Sequence, residues 1–211
     1  MTTLLPYFAQ FRTRIIDHRY ACISIGSMAI LMPFVLIAGD IFMEGKMQLQ
    51  PSLSHYYYTK IGGLFVACLL LFSCFLLLDQ TATPREKAWT LFASICGFGT
   101  VALPTTPIGS KLDFVYTLHL IFALSLFISV AILAIRHYAK RSTGIIRQYF
   151  RWAGYGLLIS LAGLIAFFVI VTLSGGHTVD SNVVLYIEIF MIALLGSVWL
   201  VKGLDATDRE K

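Results

Sequence analysis

The sequence predicts an all-α polytopic membrane protein: one domain of six transmembrane helices spanning residues 1–211, with both termini in the cytoplasm. Three observations carry that prediction. Apolar residues make up 58% of the chain and mean hydropathy is +0.80, whereas charged residues are only 13%, about half the share of a soluble domain. The apolar residues gather into six stretches. Thirteen of the sixteen Lys and Arg fall at the N-terminus, in every second gap and at the C-terminus.

The stretches are 20–41, 61–78, 87–104, 112–135, 153–173 and 183–201. Crossing the hydrocarbon core takes about 20 residues. The third has an apolar centre of only 89–103 and reaches spanning length with its flanks, so a re-entrant half-helix is its alternative. Arg12, Arg14 and Arg19 precede the first stretch, and Arg85 and Lys87 separate the second from the third. Arg136, Lys140, Arg141, Arg147 and Arg151 surround the gap after the fourth, and Lys202, Arg209 and Lys211 follow the sixth. The other three gaps hold only Lys46, Lys60 and Lys111. Short loops rich in Lys and Arg stay cytoplasmic, which sets the orientation and implies a multi-pass protein of the bacterial inner membrane.

The same distribution excludes nucleic acid as the reason for the net charge of +5. Basic loops lie against anionic headgroups, each near-surface charge contributing about 1 kcal/mol. Membrane lipids are therefore the expected partners, and a homodimer is compatible with the sequence. The first apolar run is too long for a signal-peptide core and reads as a retained anchor. Ahead of it, Tyr7, Phe8 and Phe11 with the three arginines suggest a short interfacial helix. Cys22, Cys68, Cys74 and Cys96 all fall within spans, lack zinc or redox spacing, and read as small apolar fillers.

Chemistry concentrates in the outer gaps. The first contains PSLSHYYYTK, where Pro51 delays the second helix and Ser52 or Ser54 is available as a cap. Tyr56, Tyr57 and Tyr58 cannot share one helix face. An interfacial aromatic belt is the plain reading, and a binding surface the sharper one. The second outer gap, LPTTPIGSKLD, brackets Thr105 and Thr106 between prolines. Asp113 then stands at the positive end of the fourth helix. His119 lies six residues on, about 9 Å deeper, with Tyr116 on nearly the same face, and must point to the bundle interior or a wet cavity. In the third gap, SGGHTVDSN, His177 and Asp180 read as loop residues, while Glu188 sits inside the sixth span and must face inward.

His119 and Glu188 are thus the leading site candidates, meeting beneath His55 and the tyrosines if their helices are adjacent. A polar network that only locks helices is the alternative. The glycines at 62, 63, 97, 99, 154, 156, 163 and 196 allow close helix packing.

The segments PSLSHYYYT, LFVA, GTVALPTTP, LHLIFAL, IEIF and VWLVKG, in that order over about 51–203, resemble a family of bacterial six-helix inner-membrane proteins of the type labelled domain of unknown function 998. The resemblance marks Ser54, Tyr57, Tyr58, Pro104, Thr105, His119, Glu188 and Trp199 through Gly203 as recurring positions. It implies the fold and supplies no substrate. Similar proteins often have an Arg-Asp pair where this chain has Gly62 and Gly63.

Three function classes follow. The first is binding or transport of a lipid or other amphipathic small ligand, without a cofactor, by Ser54, His55, Tyr57, Tyr58, Thr105, Asp113, Tyr116, His119 and Glu188. No inverted repeat or pair of broken helices argues for transport. The second is a zinc-dependent membrane hydrolase with His55, His119 and His177 as ligands and Asp113 or Glu188 as base. That site would resemble those of membrane ceramidases and adiponectin receptors, but those bundles have seven spans, and this chain has no HxxxH or HExxH. The third is a structural or assembly role.

Overall fold

The computed structural model describes residues 18–79, 83–110, 113–175 and 181–205, and among them it is helical, without strands. The interfacial helix expected before residue 18, the loop residues His177 and Asp180, and Arg209 and Lys211 lie outside the described residues. Six helices match the six apolar stretches: α1 (His18–Glu44), α2 (Gly62–Leu78), α3 (Pro84–Ala102), α4 (Phe114–Ile132), α5 (Gly144–Leu173) and α6 (Val183–Leu204). A 3-10 turn, Leu53–Tyr58, precedes α2, and a π-helical segment, Leu133–Tyr138, continues α4 into a short last turn, Ala139–Arg141.

Among the described residues four helices are long and apolar enough to cross a membrane: α1 with 27 residues, α4 with its extension with 28, α5 with 30 and α6 with 22. α2 is apolar throughout but has 17 residues, about 25 Å at 1.5 Å per residue. The first turn of α3 carries Arg85, Glu86 and Lys87.

Helix ends follow local chemistry. Gly45 ends α1 at φ +66°, a left-handed conformation that glycine adopts without steric cost. Thr83 caps α3, its hydroxyl accepting from the Glu86 N–H, with Pro84 in the first turn, where its missing donor costs nothing. Asp113 is the N-cap of α4 and accepts from the Tyr116 N–H at 2.8 Å. α6 starts at Asn182 without a side-chain cap. Its Leu185 N–H donates instead to the Pro51 carbonyl at 3.2 Å.

Each helix packs on its neighbours in sequence, and α6 closes the ring against α1 in the most extensive contact of all. One end gathers the 3-10 turn and the loop after α3; we call it the tyrosine end. The opposite, basic end gathers the start of α1, the ends of α2 and α6 and the π-helical extension of α4. Both faces of these helices are apolar. Leu31, Phe34, Leu71, Phe92, Ile159 and Ile170 point outward while Leu36, Phe72, Leu126, Leu157 and Leu195 point inward. Small and polar residues mark the inner face.

Two glycines set the crossing of α1 and α6, where backbone meets backbone. A Cβ on Gly26 would lie 2.5 Å from the Gly196 carbonyl oxygen, and one on Gly196 would lie 2.7 Å from that of Gly26. Seven residues along in each direction, a Cβ on Gly203 would lie 2.8 Å from the Arg19 carbonyl. The seven-residue spacing keeps this seam on one face of both antiparallel helices.

Candidate functional site

The site is built on the 3-10 turn. Leu53 and Tyr56 are the buried face of that turn and pack with Met32, Leu36, Phe65 and Leu185. This packing leaves Ser54 and His55 half-buried toward the bundle axis. Three bonds fasten the turn. The Leu53 N–H donates to Glu188 Oε2 at 2.5 Å, the Pro51 carbonyl takes the α6 amide, and the Tyr58 hydroxyl donates to the Thr105 carbonyl. Glu188 therefore points inward as the sequence requires, and it has a partner. Ser52 precedes the turn with extended backbone and no capping bond; its hydroxyl lies 2.6 Å from His55 Nδ1.

His119 is buried at 3% exposure. Its Nδ1 lies 2.6 Å from the Leu103 carbonyl oxygen and its Nε2 lies 3.1 Å from Ser54 Oγ. A carbonyl only accepts, so Nδ1 carries the proton. In the neutral ring Nε2 then accepts from the Ser54 hydroxyl. His55, in the loop, has its pKa lowered, first by burial and then by the field of His119. Its neutral form is the stable one at neutral pH.

These groups surround a cavity of about 60 Å³, room for a few ordered waters or part of a small molecule. Its polar wall is Ser52, Ser54, His55, Thr105, Tyr116, His119 and Glu188. The apolar wall includes Val184 and Phe168 at the level of the polar groups and runs deeper along α4, α5 and α6 through Leu120, Phe127, Leu161, Leu164 and Met191. Among the described residues no Lys or Arg lines the cavity.

Six of the residues singled out from sequence thus line one cavity: Ser54, His55, Thr105, Tyr116, His119 and Glu188. Tyr57, Tyr58 and Asp113 do not. Tyr58 ties the turn to the loop after α3, with the Tyr57 ring edge-on to it at 5.1 Å. Asp113 is occupied as the helix cap. Tyr116 is not the hydrogen-bond partner of His119; Leu103 and Ser54 fill that role.

His55 and His119 share the cavity, but their Nδ1 atoms are engaged by Ser52 and Leu103. His177, the third expected zinc ligand, lies outside the described residues, and among these no three His, Cys, Asp or Glu side chains come together to hold a metal.

The Gly62 and Gly63 positions separate. A Cβ at Gly62 would stand 2.1 Å from the Tyr57 carbonyl oxygen, whereas one at Gly63 would meet nothing within 4 Å. The turn lies directly on Gly62, so an arginine or aspartate there would have to displace the segment carrying Ser54.

Sequence reasoning read Ser52 only as a possible cap, a bond it does not make, and missed the whole apolar wall. It also missed a second polar cluster at the basic end. Asp79, buried at the end of α2, lies 2.9 Å from both His18 Nε2 and Lys202 Nζ. Lys202 stands 4.5 Å over the Tyr138 ring, which the π-helical segment carries into the core. Nearby, Arg141 pairs with buried Glu86 at 2.9 Å, and the Ser142 hydroxyl donates to Asp205 at 2.9 Å. Burial alone would raise the Asp79 carboxyl, but the His18 N–H and the Lys202 ammonium outweigh it and hold the group well below the usual carboxylate range.

Comparison of the chain with protein-family models, curated proteins and solved structures finds no match.

Proposed function

We propose that the protein is a six-span bacterial inner-membrane protein, both termini cytoplasmic, that binds a lipid or similar amphipathic small ligand at its extracytoplasmic end. The single observation that carries this reading is the gradient of the cavity wall. Hydroxyls, imidazoles and one carboxylate stand at the tyrosine end beside Pro51, Val184 and Phe168, and among the described residues the lining deeper between α4, α5 and α6 is hydrocarbon. A ligand with a hydrogen-bonding head and an apolar tail satisfies both parts at once. A wholly polar ligand would leave the deep wall wet, and a wholly apolar one would leave buried polar groups without partners.

Orientation follows from the charge pattern. The basic gaps coincide with the end that holds His18, Arg141 and Lys202, so the cavity faces the other side. Transport in addition to binding would require a change in the packing of α5, whose contacts with α4 and α6 border the cavity.

Lipid extraction and mass spectrometry of the purified protein tests the reading. The wild type is expected to retain one lipid or lipid-like molecule per chain. Leu164→Trp, which places an indole in the apolar wall, is expected to lower that occupancy at least tenfold without loss of folded protein. Equal occupancy in both would sink the proposed site.

A further inference from the structure

Ser54 and His119 have a relationship that binding does not require. The serine hydroxyl is within hydrogen-bond reach of His119 Nε2, at 3.1 Å, and the other ring nitrogen is fixed by the Leu103 carbonyl at 2.6 Å. A nucleophile, a base and a third group that orients the base form the arrangement by which hydroxyl nucleophiles are activated. The orienting group here is a carbonyl rather than a carboxylate. It fixes the tautomer and ring plane but stabilises an imidazolium less.

The geometry points to acyl transfer: Ser54 is the nucleophile and His119 the base in hydrolysis of an ester-linked amphiphile held in the cavity. This inference rests on the cavity taking an amphiphile. The cavity of about 60 Å³ takes the ester group and the first carbons of an acyl chain along Leu161, Leu164 and Phe168, which brings the ester carbonyl to the polar wall. As Ser54 Oγ bonds to the carbonyl carbon, its proton passes to His119 Nε2 and the carbonyl π electrons move to oxygen. Tyr116, one helical turn before His119 and on the same cavity wall, supplies a hydroxyl donor for that oxyanion. Collapse of the tetrahedral adduct expels the alcohol, which takes the proton from Nε2 and leaves an acyl-Ser54. Water then adds to the acyl carbon, giving one proton to His119 Nε2. The second collapse releases the carboxylic acid, and the proton returns to Ser54 Oγ. The sum is ester plus water giving acid plus alcohol, with no oxidant, reductant or metal.

Glu188 and Leu53 act as positioning residues, because the bond between them holds the turn that presents Ser54. Ser52 and His55 form a second hydroxyl–imidazole pair at 2.6 Å beside it. Among the described residues no third group orients His55, so Ser54 is the preferred nucleophile.

A biotinylated fluorophosphonate tests this on the full chain in detergent, because it phosphonylates only activated serines, with loss of fluoride. One adduct is expected, mapped by peptide mass spectrometry to Ser54. It should be absent in Ser54→Ala and form about 100-fold more slowly in His119→Gln, the usual scale for loss of a general base. The site of the adduct in the unaltered protein decides the matter even if a variant folds poorly. An unlabelled Ser54, in protein that retains its lipid, would overturn acyl transfer and leave the binding reading standing. Absence of both label and lipid would overturn the two together. Labelling at Ser52 instead would also contradict the assignment.

Discussion

Asp79→Ala is expected to destabilise the protein by about 3–5 kcal/mol, the usual consequence of removing one partner from a buried ion pair. The Lys202 side chain is only 6% exposed, so without Asp79 its ammonium keeps the desolvation penalty and loses the nearest compensating charge. Thermal unfolding in a fixed detergent reads this as a drop in Tm of roughly 10 °C. The double variant Asp79→Leu with Lys202→Met should recover much of the loss, because both charges leave together. A change below about 1 kcal/mol in Asp79→Ala would mean that the pair contributes little. The pH dependence has a definite sign. Asp79 is held below its ordinary value, so its contribution is fully present above the unfolded carboxylate range and is lost as pH falls through the folded one. Stability of the wild type should therefore fall more steeply on the acid side than that of the double variant.

Gly26→Leu is expected to have the other large effect. The new Cβ would stand 2.5 Å from the Gly196 carbonyl oxygen and 2.6 Å from the Leu200 amide nitrogen. Both are backbone atoms of a helix and cannot turn aside as a side chain can. α1 and α6 would have to separate along the seam that closes the ring, opening contacts from Cys22 to Leu36. Overpacking usually costs about 1–3 kcal/mol where side chains can adjust, and a backbone clash places this variant at or above the upper end. Gly163→Leu is the matched control. Its Cβ meets nothing within 4 Å, and its stability should remain within about 0.5 kcal/mol of wild type. Comparable Tm losses in the two variants would contradict the seam.

The contrast between these glycines shows what could be read from sequence. Gly163 and Gly196 look alike there, each a small residue in an apolar run. Only the packing separates an open position from a contact between backbones. Helix number and approximate limits were legible because hydrophobic length and charged gaps are one-dimensional properties. The inward direction of His119 and Glu188 was legible because lipid penalises polar groups. The lining role of Leu161, Leu164 and Phe168 was not. Helices apolar on all sides have no pattern that tells a lipid-facing leucine from a cavity-facing one.

Asp79, Glu86 and Lys202 were obscured for a different reason. They stand at helix ends in or beside the basic gaps, where charge is already explained by topology. Asp79 and Lys202 are buried by pairing between α2 and α6, and Glu86 by its pairing with Arg141 between α3 and the extension of α4, partners far apart in sequence. The 3-10 turn was hidden too. Pro51 signalled a delayed helix, but the tie from Leu53 to Glu188 joins residues 135 positions apart. Tyr57 and Tyr58 drew attention as a cluster, yet Tyr58 serves to bind two loops together and only the neighbouring Ser54 and His55 reach the cavity.

The central claim, that an amphiphile lies with its head at the tyrosine end and its tail among α4, α5 and α6, is tested most directly by photocrosslinking. A lipid carrying a diazirine at mid-chain would be reconstituted with the protein, irradiated, and its adducts mapped by peptide mass spectrometry. Adducts should concentrate on Phe127, Leu161, Leu164 and Phe168, be displaced by excess unlabelled lipid and be lost in Leu164→Trp. Adducts spread evenly over outward residues such as Leu31, Phe92 and Ile159, and unaffected by competition or by Leu164→Trp, would contradict the claim.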